Sequence, residues 1–324
     1  MARLVLAALL CIAGLATIAP TAGATTVNNP LPPGLFAPTS FWNTPLSSTA
    51  AVDPSSSTLV STLVGQVSSY KAWINTYKSS SPVYVVPSSQ PLTRVILDGK
   101  SSSTLSAAFN SVPLPSNPKP AAGTDAQLTV WQPSTNSMWE FWMMYSKAGK
   151  WHARWGGKMT GVSSNPGYFS PASWGATATG LPLLGGLITL HDLNKGSIDH
   201  ALAFDITDAR KSWWSWPAQR SDGSLDSLTS IPEGTRFRLD PNLDLSTLVM
   251  PRATRMIAQA AQRYGMVVRD RTLSSPAFEA EDATRFGVDP YYGSTGWFEG
   301  KSPSQLLAYF PWSRLQALRL DLRH

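Results

Sequence analysis

The chain has a single cysteine in 324 residues, and that residue, Cys11, lies in an apolar run near the N-terminus. Without that run no disulfide, thiolate metal site or cysteine nucleophile remains, so stability has to come from a packed core. Histidine is scarce, at four residues, and charged residues make up only 14% of the chain. His152, His191, His200, Asp192 and Asp199 are suitable metal-ligand types, but no compact His-x-x-x-His spacing joins them, which weighs against a transition-metal centre. There is no Gly-x-Ser-x-Gly elbow for a serine hydrolase. Gly180-Leu181-Pro182-Leu183-Leu184-Gly185-Gly186 is an apolar turn without the lysine of a phosphate loop. The formal net charge is +6, yet no Lys/Arg run or nucleic-acid motif accompanies it, so nucleic acid is not an expected partner.

At the N-terminus, Met1-Ala2-Arg3 is followed by an apolar stretch from Leu4 to Ala19 and by Thr21-Ala22-Gly23-Ala24. A positive charge, a short hydrophobic segment and a small-x-small exit predict a signal peptide over residues 1–24, and hence a secreted, extracellular protein. A lipid anchor at Cys11 is disfavoured, because Leu10 precedes it and the cysteine comes too early. No later run of about 18 apolar residues occurs, so no membrane span is expected beyond the signal. Residues 25–56 read as an extended Pro/Ser/Thr-rich lead-in, and residues 57–324 as one β-rich domain, within the size a single core can reach.

Hydrophobic periodicity predicts one amphipathic helix from Ser57 to Asn75, through Leu59, Leu63, Val67, Tyr70 and Trp73. A second is expected after Pro251, with Ala253, Met256, Ile257, Ala260 and Tyr264 on one face and Gly265 closing it. Strands are expected within Pro82–Asp98, then as a three-stranded meander of Ala126–Gln132, Met138–Ser146 and Trp151–Trp155. Further strands are expected at Leu187–Leu190, Ala201–Ile206, Arg236–Leu239 and Met266–Asp270, and the apolar tail Pro303–Leu320 should dock on the body. The fold class expected is mainly β, a β-sandwich or jelly roll with a few peripheral helices.

What the chain has in abundance is tryptophan. Nine of its thirteen tryptophans and three of its four histidines fall between Trp131 and Trp216. Aromatic faces beside a carboxylate suit a sugar-processing cleft. In the strand Met138–Ser146 a period of two puts Met138, Glu140, Trp142 and Met144 on one face. Burial there would raise the pKa of Glu140 toward a value useful in acid–base catalysis, whereas the structural alternative is an ion pair with Arg154 or Lys158. A tight turn at Gly149 would bring Tyr145 near His152, Met143 near Arg154 and Trp142 near Trp155, whereas a one-residue slip would exchange the faces, so the register is left open. Asp125, Asp199 and His200 are the other candidate catalytic residues; a turn-capping role for Asp125 and a satisfied structural role for His200 stand against that reading. Trp142, Trp155, Arg154, Tyr145 and His152 are candidate substrate contacts. His191-Asp192 repeats the Asp199-His200 pair in reverse order, which gains weight if the two pairs meet.

Phe41-Trp42-Asn43, Trp139-Glu140-Phe141-Trp142, Trp151-His152-Ala153-Arg154-Trp155-Gly156-Gly157, Ala176-Thr177-Ala178-Thr179-Gly180-Leu181-Pro182, Asp199-His200-Ala201-Leu202 and Ile231-Pro232-Glu233-Gly234-Thr235-Arg236 together resemble a family of secreted bacterial proteins of actinobacterial type. The resemblance implies export and a shared architecture and brings no assigned catalytic residues. Locally, Trp139-Glu140-Phe141-Trp142-Met143-Met144 is similar to the nucleophile strand of jelly-roll endoglucanases, which implies Glu140 as nucleophile or base. Glu233, Glu279 and Glu281 are candidates for a second glutamate by residue type.

The expected function is therefore that of a secreted carbohydrate-active enzyme, a glycoside hydrolase with Glu140 working beside Asp125 or Asp199. The alternatives are a polysaccharide lyase using His200 or Tyr145 as base with Arg154 on a uronate carboxylate, and a non-catalytic glycan- or wall-binding protein. A polysaccharide is the expected partner. No cofactor is expected, with a structural calcium left open, and the oligomeric state is not readable.

Overall fold

The computed structural model describes residues 35–324, so the expected signal peptide and the first part of the expected lead-in lie outside the described residues. In chain order the elements are α1 (Ser56–Tyr70), β1 (Trp73–Asn75), β2 (Val83–Val85), β3 (Val95–Leu97), α2 (Ser103–Ala108), β4 (Leu128–Gln132), β5 (Ser137–Trp142), β6 (Tyr145–Lys147), β7 (Lys150–Ala153) and β8 (Trp155–Thr160). There follow α3 (Leu190–Lys195), β9 (Leu202–Ile206), β10 (Ala209–Ser215), β11 (Ile231–Glu233), β12 (Arg236–Leu239), α4 (Arg252–Arg263), β13 (Met266–Arg271), β14 (Ala277–Glu279), α5 (Pro303–Leu307), β15 (Leu315–Ala317) and β16 (Leu322–Arg323).

The protein is mainly β. Six strands form the largest sheet in the order β1-β14-β9-β13-β12-β15, and a four-stranded sheet runs β2-β4-β5-β8. Two three-stranded sheets, β3-β7-β6 and β11-β10-β16, flank them. The sheets are mixed: β1/β14, β9/β13 and β2/β4 pair in parallel, while β4/β5 and β5/β8 pair antiparallel.

The period of two sorts the strand residues into layers. Leu128 and Val130 of β4 and Trp139 and Phe141 of β5 face one core with Phe109 and Val112. Trp131 and Met138, on the opposite face, meet Trp42, Phe169 and Val267, the last contributed by β13. The neighbours of Val267, Met266 and Val268, turn instead to the largest core, where α1 supplies Leu59 and Leu63, α4 supplies Met256 and Ile257, and the tail supplies Leu306, Phe310 and Trp312. The six-stranded sheet thus has helices on one face and the four-stranded sheet across an aromatic layer on the other, as in a β-sandwich with peripheral helices.

Four local expectations change. The helix α1 ends at Tyr70, because Lys71 takes φ 64° and Trp73–Asn75 pair with β14 as a strand. Leu187–Leu190 is not a strand: Ile188 makes one bridge to Ala280 and α3 begins at Leu190 behind a Thr189–Asp192 capping box. The long strand Met138–Ser146 is broken at Met143, whose φ of 51° accompanies a hydrogen bond from its backbone N–H to the Asp125 carbonyl at 2.6 Å. That irregularity reverses the alternation, so Met144 joins Trp139 and Phe141 instead of Glu140. The third strand is likewise split, β7 pairing with β6 and β8 with β5, with Trp142 opposite Trp155 and Tyr145 opposite His152. A Cβ on Gly156 would lie 2.0 Å from the Glu140 carbonyl oxygen and one on Gly157 2.7 Å from Phe169, so glycine is what allows β8 to lie this close.

Candidate functional site: a carboxyl cluster beside a tryptophan hairpin

Glu140 is fully enclosed. One carboxylate oxygen accepts the Ala176 amide at 2.6 Å and the other the Leu183 amide at 2.8 Å. Burial pushes its pKa up to about 7, against the two amide bonds and the charges of Arg269 and Arg220, which hold it down. Its oxygens therefore anchor residues 176–183 to β5 and face away from solvent. Neither expected ion pair forms: Arg154 is exposed, and the Lys158 ammonium sits 5.0 Å from the Trp139 ring centroid. The largest charge effects on Glu140 come from Arg269 and Arg220.

Asp125 is half-buried at the start of the hairpin, and its Oδ1 accepts the Trp142 indole N–H at 2.9 Å. Trp155, across the ladder from Trp142, donates its indole N–H to the Ser173 carbonyl at 2.9 Å. At the hairpin end the Tyr145 and His152 rings stack 5.2 Å apart, and both polar tips meet Asp98, the Tyr145 hydroxyl by donation and His152 through Nδ1 at 3.0 Å. The hydrogen bond to Asp98 raises the Tyr145 pKa, while the nearby Arg154 charge opposes that rise. Asp125, Trp142, Trp155, Tyr145, His152 and Arg154 thus all belong to one hairpin region.

Asp199 and His200 lie elsewhere. The exposed Asp199 pairs with Lys195. His200 meets Asp192, so the two His/Asp pairs do come together, but in a helix-capping arrangement. His200 Nδ1 lies 2.9 Å from the Ala201 carbonyl oxygen and Nε2 3.2 Å from Asp192 Oδ2. Both partners are acceptors, so both ring nitrogens donate and the ring is held as an imidazolium. Burial lowers the His200 pKa, but the bond to Asp192 and its charge outweigh that and leave it raised. Asp192 is in turn held below the usual carboxylate range, the bonds from His200 and Thr189 overcoming burial. With no ring nitrogen free, His200 in this state cannot accept a proton. Beside it is a small cavity of about 80 Å³, lined on its polar side by His191, Asp192, Lys195, Asp199 and His200.

Among the described residues a further, largely buried charge cluster takes in Glu233 and Glu279, which residue type had made candidates, together with Asp205, Arg269, Asp270 and Asp222, which the sequence reading did not single out. Arg269, 2% exposed, lies on β13 with its Nη2 3.7 Å from Asp205 Oδ2 on β9 and 3.8 Å from Glu279 Oε2 on β14. Asn75 of β1 donates to Glu279 Oε1 at 2.7 Å, and Arg269 Nη1 donates to the Leu183 carbonyl at 3.0 Å. Next along β13, Asp270 accepts the amides of Arg271 at 2.9 Å and Ala178 at 3.2 Å. Glu233 of β11 accepts from the Ser221 hydroxyl at 2.5 Å and the Asp222 amide at 3.0 Å, and the Asp222 carboxylate lies 3.4 Å from Arg271 Nε. Burial raises the carboxyls of Asp205, Glu279 and Asp270, and the Asp205 charge adds to the rise of the other two. Burial and then the Asp222 charge push Glu233 up to about 8. The segment 176–183 links the hairpin to this cluster, Ala176 donating its amide to Glu140 and Ala178 to Asp270, and the Asp125 charge adds to the rise of Asp205. Asp222, Glu233 and Asp270 are also the residues whose carboxylate oxygens converge closely enough to hold a metal ion. A signal was present in the sequence: Asp205, Arg269-Asp270-Arg271 and Glu279 interrupt otherwise apolar strands, and a charge there needs a partner or a task.

No family model matches the chain, and neither does any curated protein or solved structure. The functional reading rests on the chain's own residues. Among the described residues no helix is long and apolar enough to cross a membrane.

Proposed function

We propose that the protein is an exported carbohydrate-active enzyme that cleaves a polysaccharide, acting as a glycoside hydrolase. The observation that carries this reading is the position of Asp125. It holds the indole of Trp142, whose cross-strand neighbour is Trp155, on the hairpin that Glu140 ties through Ala176 to the segment bonded to Asp270. Partly exposed tryptophan faces suit stacking on sugar rings, and glycoside hydrolysis uses two carboxyl groups on either side of the bond. Asp125, half-buried, is a carboxylate of this region with access to solvent, which supports its meeting substrate. Glu140 then serves as the anchor of the 176–183 segment. Export rests on the signal-peptide pattern of residues 1–24.

A second reading is a polysaccharide lyase, favoured by the Tyr145–Asp98–His152 group with Arg154 beside it. His152 through Nε2, or Tyr145 once its own hydroxyl proton has passed to Asp98, would take the proton next to a uronate carboxylate that Arg154 neutralises. One screen separates the readings: neutral and acidic polysaccharides are incubated with the purified protein and with Asp125→Asn. The hydrolase reading expects new reducing ends, reduced by about 10²–10⁴-fold in Asp125→Asn with the fold intact. Products absorbing in the ultraviolet and lost in Tyr145→Phe would replace it with the lyase. Retention on insoluble polysaccharide with no cleavage would make the protein a glycan-binding one.

A further inference from the structure

We propose that Asp222, Glu233 and Asp270 form a binding site for a divalent cation of the hard, oxygen-preferring kind. Their carboxylate oxygens all lie within 4.8 Å of one another. Two oxygens on opposite sides of one Ca²⁺ stand about 4.6–5.2 Å apart at ordinary Ca–O distances, so the spacing of these three is compatible with one coordination sphere. The three residues come from separate parts of the fold: the segment after Ser221, the strand β11 and the strand β13. The backbone locks two of those parts together, Gly234 donating its amide to the Val268 carbonyl at 2.7 Å.

Glu233 supplies the second observation. Its side chain is completely buried, and Oε2 takes both available donors, the Ser221 hydroxyl and the Asp222 amide. Oε1 is enclosed and has no hydrogen-bond partner among the described residues. An enclosed carboxylate oxygen without a donor is unfavourable unless a proton or a cation meets it, and a cation shared with Asp222 and Asp270 would satisfy all three carboxylates at once. Arg271 does not fill this role. Its Nε, 3.4 Å from Asp222 Oδ1, lacks a well-directed hydrogen bond, and it is Asp222 and not Glu233 that it approaches. The Asp270 oxygens each accept one backbone amide, which orients the carboxylate and leaves each oxygen a further lone pair. Exposed Asp222 provides the entry side, and water and a polysaccharide hydroxyl are suited to the remaining positions of a six- to eight-coordinate ion. Oxygen-only ligands select calcium, magnesium or manganese over zinc and copper.

The site does not depend on the proposed cleavage reaction, since binding is read without any polysaccharide. The purified full chain is stripped with chelator and titrated separately with Ca²⁺, Mg²⁺ and Mn²⁺ by calorimetry and by thermal melting. The expected result is one saturable site for at least one of the three, with a higher melting temperature. At a free-ion level of 100 times Kd, the folded-to-unfolded ratio should rise about 100-fold. Asp222→Asn, at an exposed position that tolerates substitution, should lose both the binding heat and the melting shift while keeping the metal-free melting temperature. Glu233→Gln should do the same where it folds. Silence with all three ions, or binding that survives Asp222→Asn and Asp270→Asn, overturns the proposal. A protein that binds the ion and cleaves nothing would refute only the enzyme reading.

Discussion

Replacing Glu140 by Gln tests whether this carboxylate is an anchor or a reagent. The change keeps the shape of the side chain and one acceptor oxygen, but sets an NH₂ group against the Ala176 or the Leu183 amide, which are 2.6 and 2.8 Å from the present oxygens. One buried donor then faces another, and the loss is about 2–3 kcal/mol. For a chain of this size that corresponds to a fall of about 4–8 °C in melting temperature. The penalty should also depend on pH. With its pKa raised to about 7 in the fold from 4.5, Glu140 keeps its proton in the folded state over a range where the unfolded chain has lost it. Its contribution is fully present below about pH 4.5 and is lost as pH rises through about 7, a change of about 3 kcal/mol at 1.36 kcal/mol per unit. Gln does not titrate, so the gap between wild type and variant should be widest near pH 5 and should narrow by pH 8. The assay is a pair of melting series across that range. A gap that stays constant with pH, or a variant as stable as wild type at pH 5, would refute the reasoning; a stable variant with abolished cleavage would return Glu140 to the role of reagent.

Arg269→Met should destabilise the fold by about 3–5 kcal/mol, because it leaves Asp205 and Glu279 without their buried cation; chemical denaturation measures it, and a loss below 1 kcal/mol would mean that the carboxyls satisfy one another. Gly186→Ala forces a side chain into φ 70°, with its Cβ 2.3 Å from the Ala203 nitrogen, and should lower stability by about 3 kcal/mol, readable as a fall in melting temperature. His200→Ala should narrow stability most at low pH: with the His200 pKa raised above its ordinary 6.5, the pair with Asp192 contributes fully below that value and fades as pH rises through the folded pKa. Melting curves at pH 5.5 and 9 should therefore differ more for wild type than for the variant. Tyr145→Phe, at an exposed hairpin end, should leave stability within about 0.5 kcal/mol, so any activity it removes is a chemical effect.

Much of the local structure was legible because its causes are local. The apolar spacing from Ala253 to Ala260, with Pro251 before it and Gly265 after, marks a helix wherever it docks, and α4 occupies Arg252–Arg263. The turn at Gly149 marked the hairpin, and of the registers it allowed the structure takes the one with Tyr145 opposite His152 and Trp142 opposite Trp155. Short-range reasoning failed where a distant partner decided the outcome. Trp73 fits the helical spacing of α1 equally well, but its backbone pairs with β14, some two hundred residues away. The expected face shared by Glu140 and Met144 was undone at Met143, where the chain bonds the Asp125 carbonyl and the period slips by one.

The sequence by itself determined that the chain is mainly β, that its core must hold without disulfides, and that its tryptophans and a few carboxylates gather in the middle. Composition, periodicity and turn chemistry are properties of neighbours along the chain, and they survive any arrangement of the whole. Tertiary structure alone decided which charges meet. Asp205, Glu233, Arg269, Asp270 and Glu279 stand on four strands, and only the mixed order of the sheets brings them together. The same packing turned Glu140 into the anchor of a segment some forty residues away, because the free energy of a buried carboxylate is set by the donors that surround it and not by its neighbours in sequence.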